Sequence, residues 1–116
     1  MCGRYALEAT KSELWERYLL GEMKEDVEER AEIFPTNYTP LIMPGNDLVH
    51  HKWGFGEPFA KRPLINARAE TILEKPTFSQ PFRTARCLVP ATAFFEWEKV
   101  GDEKLKRKIA VADIPI

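Results

Sequence analysis

Residues 86–112 read RCLVPATAFFEWEKVGDEKLKRKIAVA, and this stretch decides the fold. Arg86 to Pro90 and Ala93 to Glu98 are two runs of apolar and aromatic residues separated by a tight turn, the pattern of adjacent strands. Gly101-Asp102 supplies turn chemistry, so Lys108 to Ala112 is expected to return as the second arm of a hairpin. Strands joined by connections this short pair antiparallel.

Working upstream, Leu41-Ile42-Met43 and Leu48 to Trp53 predict another hairpin, turned by Pro44-Gly45-Asn46-Asp47. Leu64 to Arg68 follows a proline-bearing loop, Pro58 to Pro63, and reads as a further strand. Glu70 to Glu74 predicts a short helix that Pro76 would stop. Nearer the start, Thr10 to Leu20 predicts the first helix: Thr10 and Glu13 have capping-box spacing and Gly21 stands ready to end it. Leu14 with Tyr18 and Trp15 with Leu19 are i,i+4 pairs. The acid-rich run Glu22 to Glu32 is expected to extend as a second, solvated helix. The sum is an α+β chain with a largely antiparallel β core and flanking helices, one domain over residues 1–116.

The formal net charge of −1 excludes a uniformly basic nucleic-acid binder. The charge is uneven, however. Residues 1–32 carry nine acidic and five basic side chains, and residues 33–116 carry nine acidic and twelve basic, which leaves room for a basic surface downstream of the first helix. Two cysteines, Cys2 and Cys87, are too few for a disulfide scaffold, and the absence of a signal-like or membrane-spanning apolar run predicts a reducing, cytoplasmic setting with free thiols and no membrane partner.

Chemistry is concentrated at a few positions. Loss of Met1, favoured before a small residue, would leave Cys2 with both an α-amine and a thiol. Ordinary groups of both kinds keep reactive fractions at neutral pH. An aldehyde meeting that pair forms an imine, and thiol attack closes a five-membered thiazolidine. A buried or frayed cysteine beside a start codon is the plain alternative. Asn66, Arg68 and Glu70 would share one face of a strand, where Asn and Arg suit a phosphate or sugar; a surface salt bridge at Arg68 is the competing account. Glu96 stands among aromatics, where partial burial would suit it to proton transfer. Turned to water it is an ordinary acid. Trp53 beside Gly54 would offer an indole for base stacking, or simply pack in the core. His50-His51 lack ligand spacing with either cysteine, so no metal and no cofactor are expected.

Met1-Cys2-Gly3-Arg4-Tyr5, Trp53-Gly54-Phe55, Ile65 to Thr71, Arg86 to Ala91 and Phe94-Phe95-Glu96-Trp97 together resemble the SOS-response-associated peptidase (SRAP) family of abasic-site processing proteins, in order and spacing over nearly the whole chain. The resemblance implies a barrel-like β core and a positively charged channel for single-stranded DNA, in a cytoplasmic, nucleoid-associated protein of the DNA damage response. It implies that Cys2, after autocatalytic or aminopeptidase loss of Met1, cross-links to the ring-opened abasic sugar. In that scheme Asn66 orients the Cys2 amine and the sugar, Glu96 handles protons with lyase-like chemistry, Arg4 and Arg68 contact phosphates, and Trp53 faces the DNA.

Two departures stand out. Glu32 occupies a position where many relatives have Asn, and the family's downstream His-Arg-Met-Pro motif does not occur within these residues. The chain is therefore expected to be the N-terminal part of the SRAP domain, with an incomplete core whose exposed edge invites self-association. A DNA-binding module without full chemistry, and an N-terminal-nucleophile cysteine peptidase, are the rival readings.

Overall fold

The computed structural model describes residues 2–56, 61–114 and 116. Met1, and residues 57–60 of the proline-bearing loop, lie outside them. Strands β1 (Tyr5–Leu7), β2 (Arg30–Ile33), β5 (Ala93–Val100) and β6 (Glu103–Ile109) form an antiparallel sheet in the order β2-β1-β5-β6. Strands β3 (Tyr38–Met43) and β4 (Asp47–Lys52) make a separate antiparallel hairpin. A single bridge between Ile42 and Leu88, with backbone bonds of 3.0 and 2.9 Å, ties that hairpin to the segment entering β5. The class is the expected α+β with antiparallel sheets, and among the described residues the two sheets do not close into a barrel.

Helix α1 (Lys11–Tyr18) begins as its capping box predicts: the Glu13 amide donates to Thr10 Oγ1 at 3.2 Å and the Thr10 amide donates to Glu13 Oε2 at 2.8 Å. It ends earlier than Gly21, because Leu19 adopts a left-handed φ of 51°. Leu14 is fully buried beneath it with Leu7 and Ile33, while Trp15 and Leu19 of the second i,i+4 pair face solvent. Truncating Leu14 to Ala would cost about 2–5 kcal/mol.

Several expectations are corrected. The acid-rich stretch is not a helix: residues 20–29 are irregular and Arg30–Ile33 pairs with β1, so backbone pairing overrides helix propensity. Glu70–Glu74 forms turns, and the helix comes after it as α2 (Pro76–Thr84). Pro76 starts that helix rather than stopping one, since a first-turn position has no amide bond to lose. Leu64 to Arg68 and Arg86 to Pro90 contribute only isolated bridges, Phe55 with Leu64 and Ile42 with Leu88. The return strand is Glu103–Ile109, starting directly after the Gly101-Asp102 turn.

β1 was not anticipated, although it is the strand on which the molecule is organised. Its Tyr5 and Leu7 point into the main core with Ile33 and Ile42, and its Ala6 packs with Ala93 and Phe95 on the opposite face. Three residues are too short a run to show a period. At the far edge of the same sheet, all seven residues of β6 are exposed.

Candidate active site around Cys2

A cleft of about 670 Å³ opens between the two sheets. β1 and β5 supply Tyr5 and Phe94, the hairpin supplies Thr39, Leu41, His51 and Lys52, and the segment before β5 supplies Cys87, Val89 and Ala91. Trp53, Gly54 and Phe55 complete the wall, and Cys2 lies in it as well. The lining is mostly apolar, so a reacting group here is screened from bulk water on one side.

The position of Cys2 is held from two directions. The Asn66 side-chain amide donates to the Cys2 carbonyl oxygen at 2.9 Å. The Cys2 thiol contacts the Arg4 carbonyl at 3.7 Å. The loop bearing Asn66 approaches closely because Gly54 has φ of 107° and a side chain there would meet Pro63 Cβ at 2.8 Å. Only glycine satisfies both conditions.

Tyr5 went unassigned in the sequence although it belongs to the first motif. Its ring packs edge-on against Trp53, with centroids 5.4 Å apart and planes at 66°, and among the described residues its buried hydroxyl makes no hydrogen bond of ordinary geometry. Burial pushes its pKa above the usual phenol value; the nearby Thr39 side chain offsets part of this, and Cys2 adds to it. A neutral phenol therefore stands in the cleft wall close to Cys2. The only signal available in advance was the alternation of Gly3 and Tyr5 along an extended start.

Arg4 faces away from the cleft. Register pairs Tyr5 with Phe94 and Ala6 with Ala93, so strand alternation sends Arg4 to the Ala6 face. Its guanidinium carbon sits 4.3 Å from the Phe34 ring centroid and 4.9 Å from that of Trp97, and Nη1 donates to Glu32 Oε2 at 3.2 Å. Lys106 also pairs with Glu32 and lies over Phe95. The hydrogen bond from Lys106 holds the Glu32 carboxyl below its ordinary range, with the charges of Lys106 and Arg4 acting the same way against an opposing desolvation. The departure at Glu32 thus has a structural counterpart in this cluster.

Glu96 is half-buried on β5, two residues beyond Phe94 and hence on the cleft-side face, opposite Arg107 in register. Asn66, Arg68 and Glu70 are all exposed, in irregular chain and turns, so period-two alternation does not govern them. Among the three, Asn66 reaches Cys2. Trp53 divides its surface between the core and the cleft. His50 pairs with Glu25, while His51 lines the cleft. Among the described residues no three His, Cys, Asp or Glu side chains are grouped to hold a metal, and no helix is long and apolar enough to cross a membrane.

The family model for the SOS response associated peptidase (SRAP) matches residues 1–113. The chain belongs to the SRAP family. Among SRAP relatives, it is 34% identical over 116 residues to the abasic site processing protein YoaM of Bacillus subtilis, covering 91% of this chain and 51% of that protein. It is 30% identical over 118 residues to the abasic site processing protein YedK of Escherichia coli, covering 90% and 51% respectively. The chain thus spans about half the length of these SRAP relatives. A crystal structure of a Bacteroides thetaiotaomicron protein shares the fold, with a TM-score of 0.81 and 26% identity over 98% of this chain and 56% of that one.

Proposed function

We propose that this SRAP chain recognises abasic sites in single-stranded DNA and bonds to them through Cys2 once Met1 has been removed. The observation that carries the reading is the placement of Cys2 in the wall of a cleft, with Asn66 anchoring its carbonyl at 2.9 Å. A freely fraying terminus would not be held in this way. The names of the relatives supply the lesion.

In this reading the Cys2 α-amine attacks the aldehyde carbon of the ring-opened sugar. Loss of water gives an imine, the thiol sulfur adds to the imine carbon, and the thiol proton passes to nitrogen as the thiazolidine closes. Glu96, on the cleft-side face of β5, handles protons in ring opening and dehydration. Asn66 fixes the attack geometry. The apolar wall keeps water from the imine, and neutral Tyr5 adds no negative charge beside the sulfur. Arg68 on the surface contacts phosphates, Arg4 supports the same field from behind the sheet, and Trp53 presents its cleft-side edge to DNA. Removal of Met1 is the peptidase step.

Incubation with a single-stranded abasic oligonucleotide, followed by denaturing electrophoresis, tests the proposal. A heat-stable adduct that the Cys2→Ser variant fails to form is expected. Equal adduct from both proteins would overturn it.

A further inference from the structure

A second cleft, of about 320 Å³, lies between helix α2 and the loop carrying Asn66. It is at the small end of ligand-sized cavities. Phe55 and Phe78 meet edge-to-face across part of it, with centroids 5.5 Å apart and planes at 79°. Phe82 lines it too, with the Arg86 guanidinium carbon 5.2 Å from its ring centroid. Two of its residues connect it to the Cys2 cleft: Phe55 lines both, and Asn66 lines this one while donating to Cys2.

We infer that this cleft is a subsite for one nucleobase next to the lesion, held by Phe78 and Phe82 and rimmed by Arg86. The inference rests on the reading that the Cys2 cleft takes an abasic site in single-stranded DNA, and it adds what the neighbouring base does. Three phenylalanines around a small space suit a planar heterocycle, because every base has a π-face and stacking on aromatics does not depend on sequence. Among the described residues no acidic side chain lines the space, and Arg86 brings a cation to its rim, which complements the backbone of a polyanion. The shared wall has a geometric consequence. A base seated there would hold the adjoining sugar within reach of Cys2, so the missing base of the lesion is read indirectly through the one beside it.

The test uses the 116-residue chain and fluorescent single-stranded oligonucleotides. Each carries a central tetrahydrofuran, an abasic analogue without an aldehyde, so that binding is read without covalent capture. The neighbours are adenine on both sides, or a second tetrahydrofuran on one side or the other. Removing the base on one side is expected to weaken binding about ten-fold, of the size of a single base stack. Phe82→Ala should weaken binding of the adenine-flanked strand by the same factor and be indifferent to the second tetrahydrofuran.

Phe82 is partly exposed, and a circular dichroism melt checks that its variant folds. If it does not, Phe82→Leu, which keeps apolar bulk and removes the ring, carries the test, with an expected loss of about five-fold confined to the adenine-flanked strand. Equal affinities for all three strands would overturn the subsite, as would variants that weaken every strand alike. Flank-dependent binding without adduct on a true abasic site would remove the covalent reading and leave the subsite standing.

Discussion

The Asn66 side-chain amide donates to the Cys2 carbonyl oxygen at 2.9 Å, joining positions 64 residues apart in the chain. This bond ties an exposed loop to the first residues of the chain and sets where the Cys2 backbone nitrogen and thiol lie relative to the cleft. It also places Asn66 between two clefts, with its amide on the Cys2 carbonyl and its residue in the wall of the neighbouring space.

Asn66→Ala is expected to slow adduct formation roughly hundred-fold at saturating DNA, because misplacing a nucleophile by about an ångström costs that much. Thermal stability should change little, since Asn66 is exposed. Single-turnover cross-linking at several DNA concentrations separates this loss of rate from a loss of affinity.

Tyr5→Phe removes a buried hydroxyl that makes no hydrogen bond of ordinary geometry among the described residues, so the variant should be as stable as the parent or more stable by up to about 1 kcal/mol. The pH dependence has a definite sign. The pKa of Tyr5 is raised above 10.0 on folding, so its contribution is fully present below about pH 10 and is lost as pH rises through the folded value. Urea titrations at increasing alkaline pH should show the parent losing stability more steeply than Tyr5→Phe.

The Glu32 cluster carries the opposite sign. Lys106 and Arg4 lower the Glu32 pKa below 4.5, so the stabilisation is present above that value and disappears as pH falls through the folded pKa. Melting temperatures of the parent and Glu32→Gln should differ at neutral pH and converge under acid. A constant difference across that window would remove the cluster as its cause.

Much of this was legible in the sequence, and the misses have physical reasons. The capping box of α1, the Pro44–Asp47 turn and the Gly101-Asp102 turn are local, and each appears where its residues predict. Residues 22–32 carry helix propensity, but their fate depends on β1, a partner more than twenty residues away whose own strand is too short to announce itself. Pro76 is compatible with both a helix stop and a helix start, a distinction that periodicity cannot make, and the fold uses it as a start. At the site, the family resemblance pairs Asn66 with the Cys2 amine, whereas the folded chain shows the Asn66 amide on the Cys2 carbonyl oxygen, an atom no motif names. No spacing rule could have put Arg4 behind the sheet between Phe34 and Trp97, because that follows from the β1–β5 register.

Arg68 and Glu96 should separate binding from chemistry. Arg68→Ala is expected to weaken affinity for single-stranded DNA and to lower the slope of log affinity against log salt by about 0.7, the effect of one lost phosphate contact on a single strand. Glu96→Gln should leave affinity and salt slope unchanged and reduce the cross-linking rate about 10²–10⁴-fold, the usual range for a lost general acid or base. Fluorescence anisotropy over a salt series, paired with a cross-linking time course, reads both.

The most direct test of the central claim is intact mass spectrometry of the DNA adduct, followed by peptide mapping of the modified residue. The account predicts the mass of the chain without Met1 plus the abasic oligonucleotide minus one water, with the modification on residue 2. An adduct that retains Met1, or one mapped to a lysine or to Cys87, would contradict it.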